Sequence, residues 1–127
     1  MAQHILVVDD EAPIRHLLSR YFKRHGYKVS TAATATETWR VLKESKLDLI
    51  LLDIVLPDGN GLEMIESLKA EYPHLPIIMI TGMGFVEECL QEAHKKGADG
   101  YFSKGLPLNQ LLVDVVQTLK FKKAEKR

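Results

Sequence analysis

Cysteine is nearly absent from this chain, Cys89 being the only one. One thiol cannot close an internal disulfide, so a reducing compartment, the cytoplasm, is expected. An excess of charge of either sign is missing too: Lys and Arg number 17, as do Asp and Glu, for a formal net charge of zero. That balance argues against direct nucleic-acid binding and against adsorption to an anionic membrane, both of which need a basic footprint. Long apolar runs are lacking, since Asp or Lys interrupts each one well short of the roughly 18 residues of a membrane span. Met1-Ala2-Gln3-His4 carries neither the basic flank nor the apolar stretch of a secretory signal. Repeats, low-complexity tracts and linkers are also missing. What is present suffices for one core: 127 residues, 46% hydrophobic and 27% charged, the size of one domain and too apolar for disorder. One domain over 1–127 is expected, with a core of about 4–120 and a basic tail of about 121–127.

Two periodicities alternate along it. Ile5-Leu6-Val7-Val8 is a short apolar run ending in Asp9-Asp10. Ile14, Leu17, Leu18, Tyr21 and Phe22 then follow at the spacing of one helix face. Pro13 suits a first helical turn, and Gly26 a C-terminal cap. The pair of signals recurs: strand-like Lys28–Ala32 before a helix at Thr36–Ser45, and Leu47–Asp53 before a helix marked by Leu62, Ile65, Leu68 and Tyr72. Ile77–Thr81 precedes a helix marked by Val86, Cys89, Leu90 and Ala93, and Gly100–Ser103 precedes one marked by Leu108, Leu111, Leu112, Val115 and Leu119. Such alternation implies βαβ units and a parallel sheet with helices on both faces, an α/β fold. The first, third and fourth runs are almost wholly apolar, as strands covered on both faces must be. The second and fifth carry Lys28, Ser30, Tyr101 and Ser103 and belong at the edges. Right-handed crossovers then give a five-stranded sheet of order 2-1-3-4-5, the flavodoxin-like doubly wound (βα)5 architecture.

In such a sheet ligands bind beyond the carboxyl ends of the strands, near the point where the winding reverses. Those ends carry Asp9 and Asp10, Asp53, Thr81 and Lys104. Taken singly each has a plain structural use: an aspartate caps a helix, Asp53 opens a turn, Thr81-Gly82 leaves a strand, a lysine is solvated. Together they place three carboxylates, a hydroxyl and an ammonium on one rim. Clustered carboxylates stay ionised only beside a cation, and an all-oxygen set with few carboxylates suits Mg²⁺. An aspartate beside Mg²⁺ and a lysine is arranged to attack phosphorus and become an aspartyl phosphate, with metal and ammonium spreading the phosphoryl charge.

These residues resemble the receiver domain of two-component response regulators, and the chain is similar to stand-alone CheY-like receivers. The signatures are Val7-Val8-Asp9-Asp10-Glu11, Leu51-Leu52-Asp53-Ile54 with Leu56-Pro57-Asp58-Gly59-Asn60-Gly61-Leu62-Glu63, Met79-Ile80-Thr81-Gly82, and Tyr101-Phe102-Ser103-Lys104. The resemblance spans Ile5 to about Leu119. It implies that Asp53 is the phosphoacceptor and a metal ligand, that Asp10 holds Mg²⁺ directly and Asp9 through water, and that the Val55 carbonyl is a further ligand. It implies that Lys104 and Thr81 bind the phosphoryl group. Thr81 and Tyr101 would be a switch pair, the hydroxyl moving toward phosphate and the ring turning into the vacated space. A sensor histidine kinase would be the donor, and a downstream protein or domain would read the 85–120 face: the helix from about Phe85 to Lys96, the strand at Tyr101 and the last helix. Phosphoryl transfer and autodephosphorylation would be self-catalysed, in a signalling domain rather than an enzyme.

Two departures stand out. The family has Pro directly after the lysine, joined by a cis bond; here Gly105 follows and Pro107 comes later. Cis before glycine costs about 3–4 kcal/mol against about 0.5–1 before proline, so a trans Lys104–Gly105 bond and a less firmly held Lys104 are expected. Val55 is apolar beside the phosphoryl site, where an altered autodephosphorylation rate is expected. A constitutive binding module that keeps the fold without phosphate finds support only in Gly105. A flavin site lacks its phosphate loop, a dehalogenase-type phosphatase lacks Asp-x-Asp at Asp53-Ile54-Val55, and no P-loop occurs. His4, His16, His25, His74 and His94 lack metal-ligand spacing and are expected at the surface or as caps. Trp39 is expected to pack partly buried, and Val113 and Val116 lie off the main stripe as a possible homodimer patch. With no room for a DNA-binding domain, the chain is expected to be a stand-alone receiver or a piece of a longer regulator.

Overall fold

A computed structural model describes residues 2–82 and 87–125, with side chains as far as Phe121. Val86 and Phe85, read above into the fourth helix, lie outside the described residues, as does the end of the basic tail. The chain runs β1 (His4–Val8), α1 (Ala12–Arg24), β2 (Lys28–Ala32), α2 (Ala35–Glu44), β3 (Leu49–Asp53), β4 (Val55–Leu56) and β5 (Gly59–Asn60). It continues with α3 (Gly61–Glu71), β6 (Ile77–Thr81), α4 (Glu87–Lys96), β7 (Gly100–Ser103) and α5 (Leu108–Glu125).

Five strands form one parallel sheet in the order β2-β1-β3-β6-β7. Setting aside the two-residue strands β4 and β5, this is the expected 2-1-3-4-5 winding. β1, β3 and β6 are buried along their whole length, whereas β2 and β7 at the edges are mostly part-exposed. Strand alternation splits the core in two. Ile5, Val7, Leu49, Leu51, Ile78 and Ile80 meet Leu18 and Phe22 of α1 and Leu111, Val115 and Leu119 of α5. Leu6, Val8, Ile50, Leu52, Ile77 and Met79 meet Leu42 of α2, Leu62, Ile65 and Leu68 of α3, and Ala93 of α4. Trp39 packs against this second half, partly buried as expected.

Local chemistry sets the ends. Pro13 sits in the first turn of α1, and Gly26, at φ +90°, follows its C-cap. The Thr34 hydroxyl accepts the Glu37 N–H at 3.0 Å to open α2, and Asn60 Oδ1 accepts Leu62 N–H at 2.8 Å to open α3. One stretch differs from the sequence reading: where Leu56 to Gly61 is expected only as a turn after Asp53, residues 55–60 form a short antiparallel hairpin pairing Val55 with Asn60 and Leu56 with Gly59. His4 is a second correction. It is buried in β1 rather than at the surface, with Nε2 2.7 Å from Ser30 Oγ and Nδ1 3.2 Å from the Lys46 carbonyl. No helix among the described residues is long and apolar enough to cross a membrane.

Asp99 ties the lower edge of the sheet together. Its Oδ2 accepts the Ile77 N–H at 2.9 Å and pairs with Lys69 Nζ at 2.9 Å, joining α3, β6 and the loop before β7. Asp99→Ala leaves the buried Ile77 N–H without this acceptor, so a loss of about 1–3 kcal/mol is expected in urea unfolding, far from the site described next.

Candidate functional site

The switch point of the sheet lies between β1 and β3, and the strand ends deliver the expected residues there. Asp9, fully buried, and Asp10, exposed, follow β1; Asp53, 4% exposed, ends β3; Thr81, buried, ends β6; Lys104 follows β7. Backbone bonds knit the rim: Ile54 N–H to Ile80 C=O at 3.3 Å and Lys104 N–H to Thr81 C=O at 2.8 Å. Asp9 Oδ1 accepts the Glu11 N–H at 2.9 Å, ahead of α1, whose N-cap Glu11 makes no side-chain cap. Asp9 thus shapes the loop before α1 rather than capping the helix. Asp53 Oδ1 accepts the Val55 N–H at 3.3 Å. Val55, two residues beyond Asp53, turns its side chain outward, 59% exposed, at the lip of the site.

Lys104 is the hub. Its Nζ lies 2.8 Å from Asp9 Oδ2, 3.0 Å from Glu11 Oε1 and 3.1 Å from Asp53 Oδ2, with the side chain only 12% exposed. The expectation of a less firmly held Lys104 is not met at the ammonium, whatever freedom Gly105 leaves the loop: three carboxylates match its three donors. The Lys104–Gly105 bond is trans, as expected, there being no cis peptide among the described residues. Burial disfavours the Lys104 ammonium, but its bonds to Asp9, Glu11 and Asp53 outweigh this and raise its pKa. Burial pushes Asp53 up to about 6, helped by the Asp9 charge, while Lys104 and the Val55 N–H pull it back.

Glu11 is the residue that sequence reasoning left without a role. The only signal was its place directly after the aspartate pair. Carboxylate oxygens of Asp9, Asp10, Glu11 and Asp53 come within 4.8 Å of one another. Hard oxygen donors at this density fit a divalent cation such as Mg²⁺. Asp9 Oδ2 supports the fit, since it is buried, accepts no well-aligned hydrogen bond among the described residues and lies 2.8 Å from the Lys104 cation.

The hairpin beside Asp53 is fixed at both ends. At its tip Asp58 accepts the Ala35 N–H (2.7 Å), the Thr36 N–H (3.0 Å) and the Thr36 hydroxyl (2.7 Å), bonds that hold its carboxyl below the usual range. At its exit the Gly61 N–H donates to the Ile54 carbonyl at 2.6 Å, and a Cβ at Gly61 would overlap the Asp53 carbonyl oxygen. Across the rim, Tyr101 is half-buried against the core. Burial raises its phenol pKa, the nearby Cys89 adds to this, and a side-chain contact with Thr81 opposes it. The expected switch pair is thus in contact.

Comparison with known proteins agrees with this geometry. Residues 5–116 match the family model of the response regulator receiver domain. The TorCAD operon transcriptional regulatory protein TorR of Escherichia coli K12 is 37% identical over 119 residues, 94% of this chain and 51% of TorR. A CheY-like receiver domain protein from Methanospirillum hungatei superposes with a TM-score of 0.92 at 31% identity, covering 98% of this chain and 99% of that one. A response regulator protein from Burkholderia pseudomallei, solved with a phosphorylated aspartic acid and a calcium ion, gives 0.83 at 27% identity over 98% of this chain and 72% of that one. The chain spans between about a quarter and about half of the curated relatives it matches.

Proposed function

The chain belongs to the response regulator receiver family of two-component signalling, and from that premise we propose that Asp53 is its phosphoacceptor. The observation carrying the assignment is the buried Asp53 carboxylate at the switch point, 3.1 Å from the Lys104 ammonium and within the acidic cluster. The solved relative with a phosphorylated aspartic acid and a divalent ion supports it.

The donor is the phosphohistidine of a sensor histidine kinase. An Asp53 oxygen forms the new P–O bond as the P–N bond breaks, and the imidazole leaves with the bonding electron pair. With its pKa at about 6, Asp53 is ionised at neutral pH and ready to attack. Lys104, already at the pocket, binds the phosphoryl oxygens, and the Thr81 hydroxyl donates to one of them. Asp9, Asp10, Asp53 and the Val55 carbonyl would hold Mg²⁺, which when bound neutralises the cluster and the charge developing on phosphorus. As Thr81 turns to the phosphoryl group it alters its contact with Tyr101, and the ring turns inward into the space the hydroxyl vacates. The added charge of about −1.5 to −2 is relayed in this way to α4, β7 and α5 up to about residue 120, the face offered to a downstream protein or domain. Val113, exposed, and Val116, half-buried, on α5 suit a homodimer contact. The domain spans 1–127, works in the cytoplasm without direct nucleic-acid or membrane binding, and turns over no external substrate beyond its own phosphorylation.

Incubation with acetyl phosphate and Mg²⁺, followed by intact mass measurement and borohydride trapping, is expected to add one phosphoryl group that maps to Asp53. No mass gain, or trapping at another residue, overturns the assignment.

A further inference from the structure

Glu11 and Lys104 lie 93 positions apart in sequence, yet Glu11 Oε1 sits 3.0 Å from Lys104 Nζ. The Glu11 backbone is fixed at both ends: its N–H donates to Asp9 Oδ1 at 2.9 Å, and its carbonyl accepts the Arg15 N–H at 2.9 Å. The carboxylate therefore extends from a defined point at the mouth of the pocket. The Lys104 loop is less constrained. Gly105 follows the lysine where a proline would stiffen the chain, and glycine leaves the most backbone freedom to be lost on ordering. Its local restraints among the described residues include the Lys104 N–H to Thr81 C=O bond at 2.8 Å, the Leu106 N–H to Ser103 C=O turn at 3.0 Å and a long Gly105 N–H to Ser103 Oγ bond at 3.4 Å.

The other two partners of Lys104 have competing duties. On the reading above, Asp53 becomes an acyl phosphate and Asp9 serves the metal, so neither stays wholly available to the ammonium. Glu11, with its side chain 60% exposed at the rim, borders the same acidic cluster but is not among the groups read above as holding Mg²⁺ or accepting phosphate. We propose that Glu11 is a positioning residue for Lys104, an electrostatic tether that aims the ammonium at the incoming phosphoryl group in place of a stiffened loop. This rests on the assignment of Asp53 and deepens it, since it names the side chain that keeps the phosphoryl-binding lysine over the acceptor after its other partners are engaged.

Two readouts test it. Without phosphate or metal, in EDTA, brief treatment with acetic anhydride and peptide mapping should show Lys104 acetylated about threefold faster in Glu11→Gln, because losing the outermost of its three carboxylate partners, with Asp9 and Asp53 still in place, loosens the side chain and opens it to reagent. Glu66→Gln, which breaks the distant pair with Lys96, should leave Lys104 unchanged. With saturating Mg²⁺, Glu11→Gln should lower the maximal rate of phosphorylation by acetyl phosphate about fivefold, as expected for misaimed groups. In a Lys104→Ala background the same change should have almost no further effect, the non-additivity of residues acting as one unit. Equal Lys104 acetylation in wild type and Glu11→Gln, or an undiminished Glu11→Gln effect in Lys104→Ala, overturns the proposal. If wild type gains no phosphoryl group, the Asp53 assignment fails by itself, and the acetylation arm still decides whether Glu11 holds Lys104.

Discussion

Asp53→Asn is expected to abolish phosphorylation and, in the same molecule, to stabilise the metal-free fold. Loss of phosphorylation follows because an amide is a poor nucleophile and carries no charge to be shared with metal and lysine. The gain in stability comes from burial. The folded-state pKa of Asp53, about 6, stands above its ordinary 3.8. Between about pH 4 and 6 the folded chain therefore binds more protons than the unfolded chain, and wild-type stability falls as pH rises through that window. Above it the full cost of the buried charge is present. At about 1.4 kcal/mol per pKa unit, reduced for solvent screening, the cost is on the order of 1–2 kcal/mol. Asn carries no charge at any pH, and Lys104 retains Asp9 and Glu11 as partners. In EDTA, thermal melts of Asp53→Asn should lie above wild type at pH 7.5 and converge with it near pH 4. Mg²⁺ should narrow the gap, because a cation bound by the wild-type cluster stabilises by mass action, about 2.7 kcal/mol at one hundred times its Kd. A variant less stable than wild type at pH 7.5 without metal would show that Lys104 more than offsets the desolvation of Asp53.

The second large effect is expected at Gly61, where two local arguments point in opposite directions. Gly61 is the first residue of α3 and lacks a positive φ, so helix propensity alone favours Ala by up to about 1 kcal/mol. Packing opposes it. The added methyl would collide with the backbone carbonyl of Asp53, which has little freedom to retreat because β3 is hydrogen-bonded to a strand on each side. Overpacking of this kind costs about 1–3 kcal/mol, so Gly61→Ala should lower the urea midpoint despite its better propensity. Because the displaced atoms belong to the acceptor residue, phosphorylation should slow by more than the folding loss explains, by up to about a hundredfold for a shift near 1 Å. Gly105→Ala is the matching control: its Cβ would meet only Ser103 Oγ, at 3.9 Å, so it should fold almost normally. A Gly61→Ala protein with wild-type stability and rate would show that the β3 end is more compliant than this packing implies.

Much of this architecture was legible before any coordinates. Fully apolar runs at 5–8, 49–52 and 77–80 had to be covered on both faces, and polar residues at Lys28, Ser30 and Ser103 marked sheet edges, so strand order followed from burial together with right-handed crossovers. The strand-end aspartates, Thr81 and Lys104 were legible because an open parallel sheet presents its loops on one rim. Other features were not. His4 reads as a terminal polar residue, and only the approach of Ser30 and the Lys46 carbonyl makes it a buried, bonded one. Asp58 reads as turn chemistry, yet its carboxylate anchors the hairpin to the start of α2, more than 20 residues earlier in the chain.

Residue order by itself determined the layers, the winding and the rim on which acidic and basic side chains collect, because periodicity and burial act locally and need no knowledge of distant neighbours. Only the folded chain decided that Lys104 would be gripped by three carboxylates, that Glu11 would be one of them, and that Gly61 would pass beneath Asp53. The Lys104 contacts join segments tens of residues apart, and the Gly61 contact depends on how the hairpin folds back on β3; charge pairing and steric exclusion act through distances that no spacing along a sequence encodes.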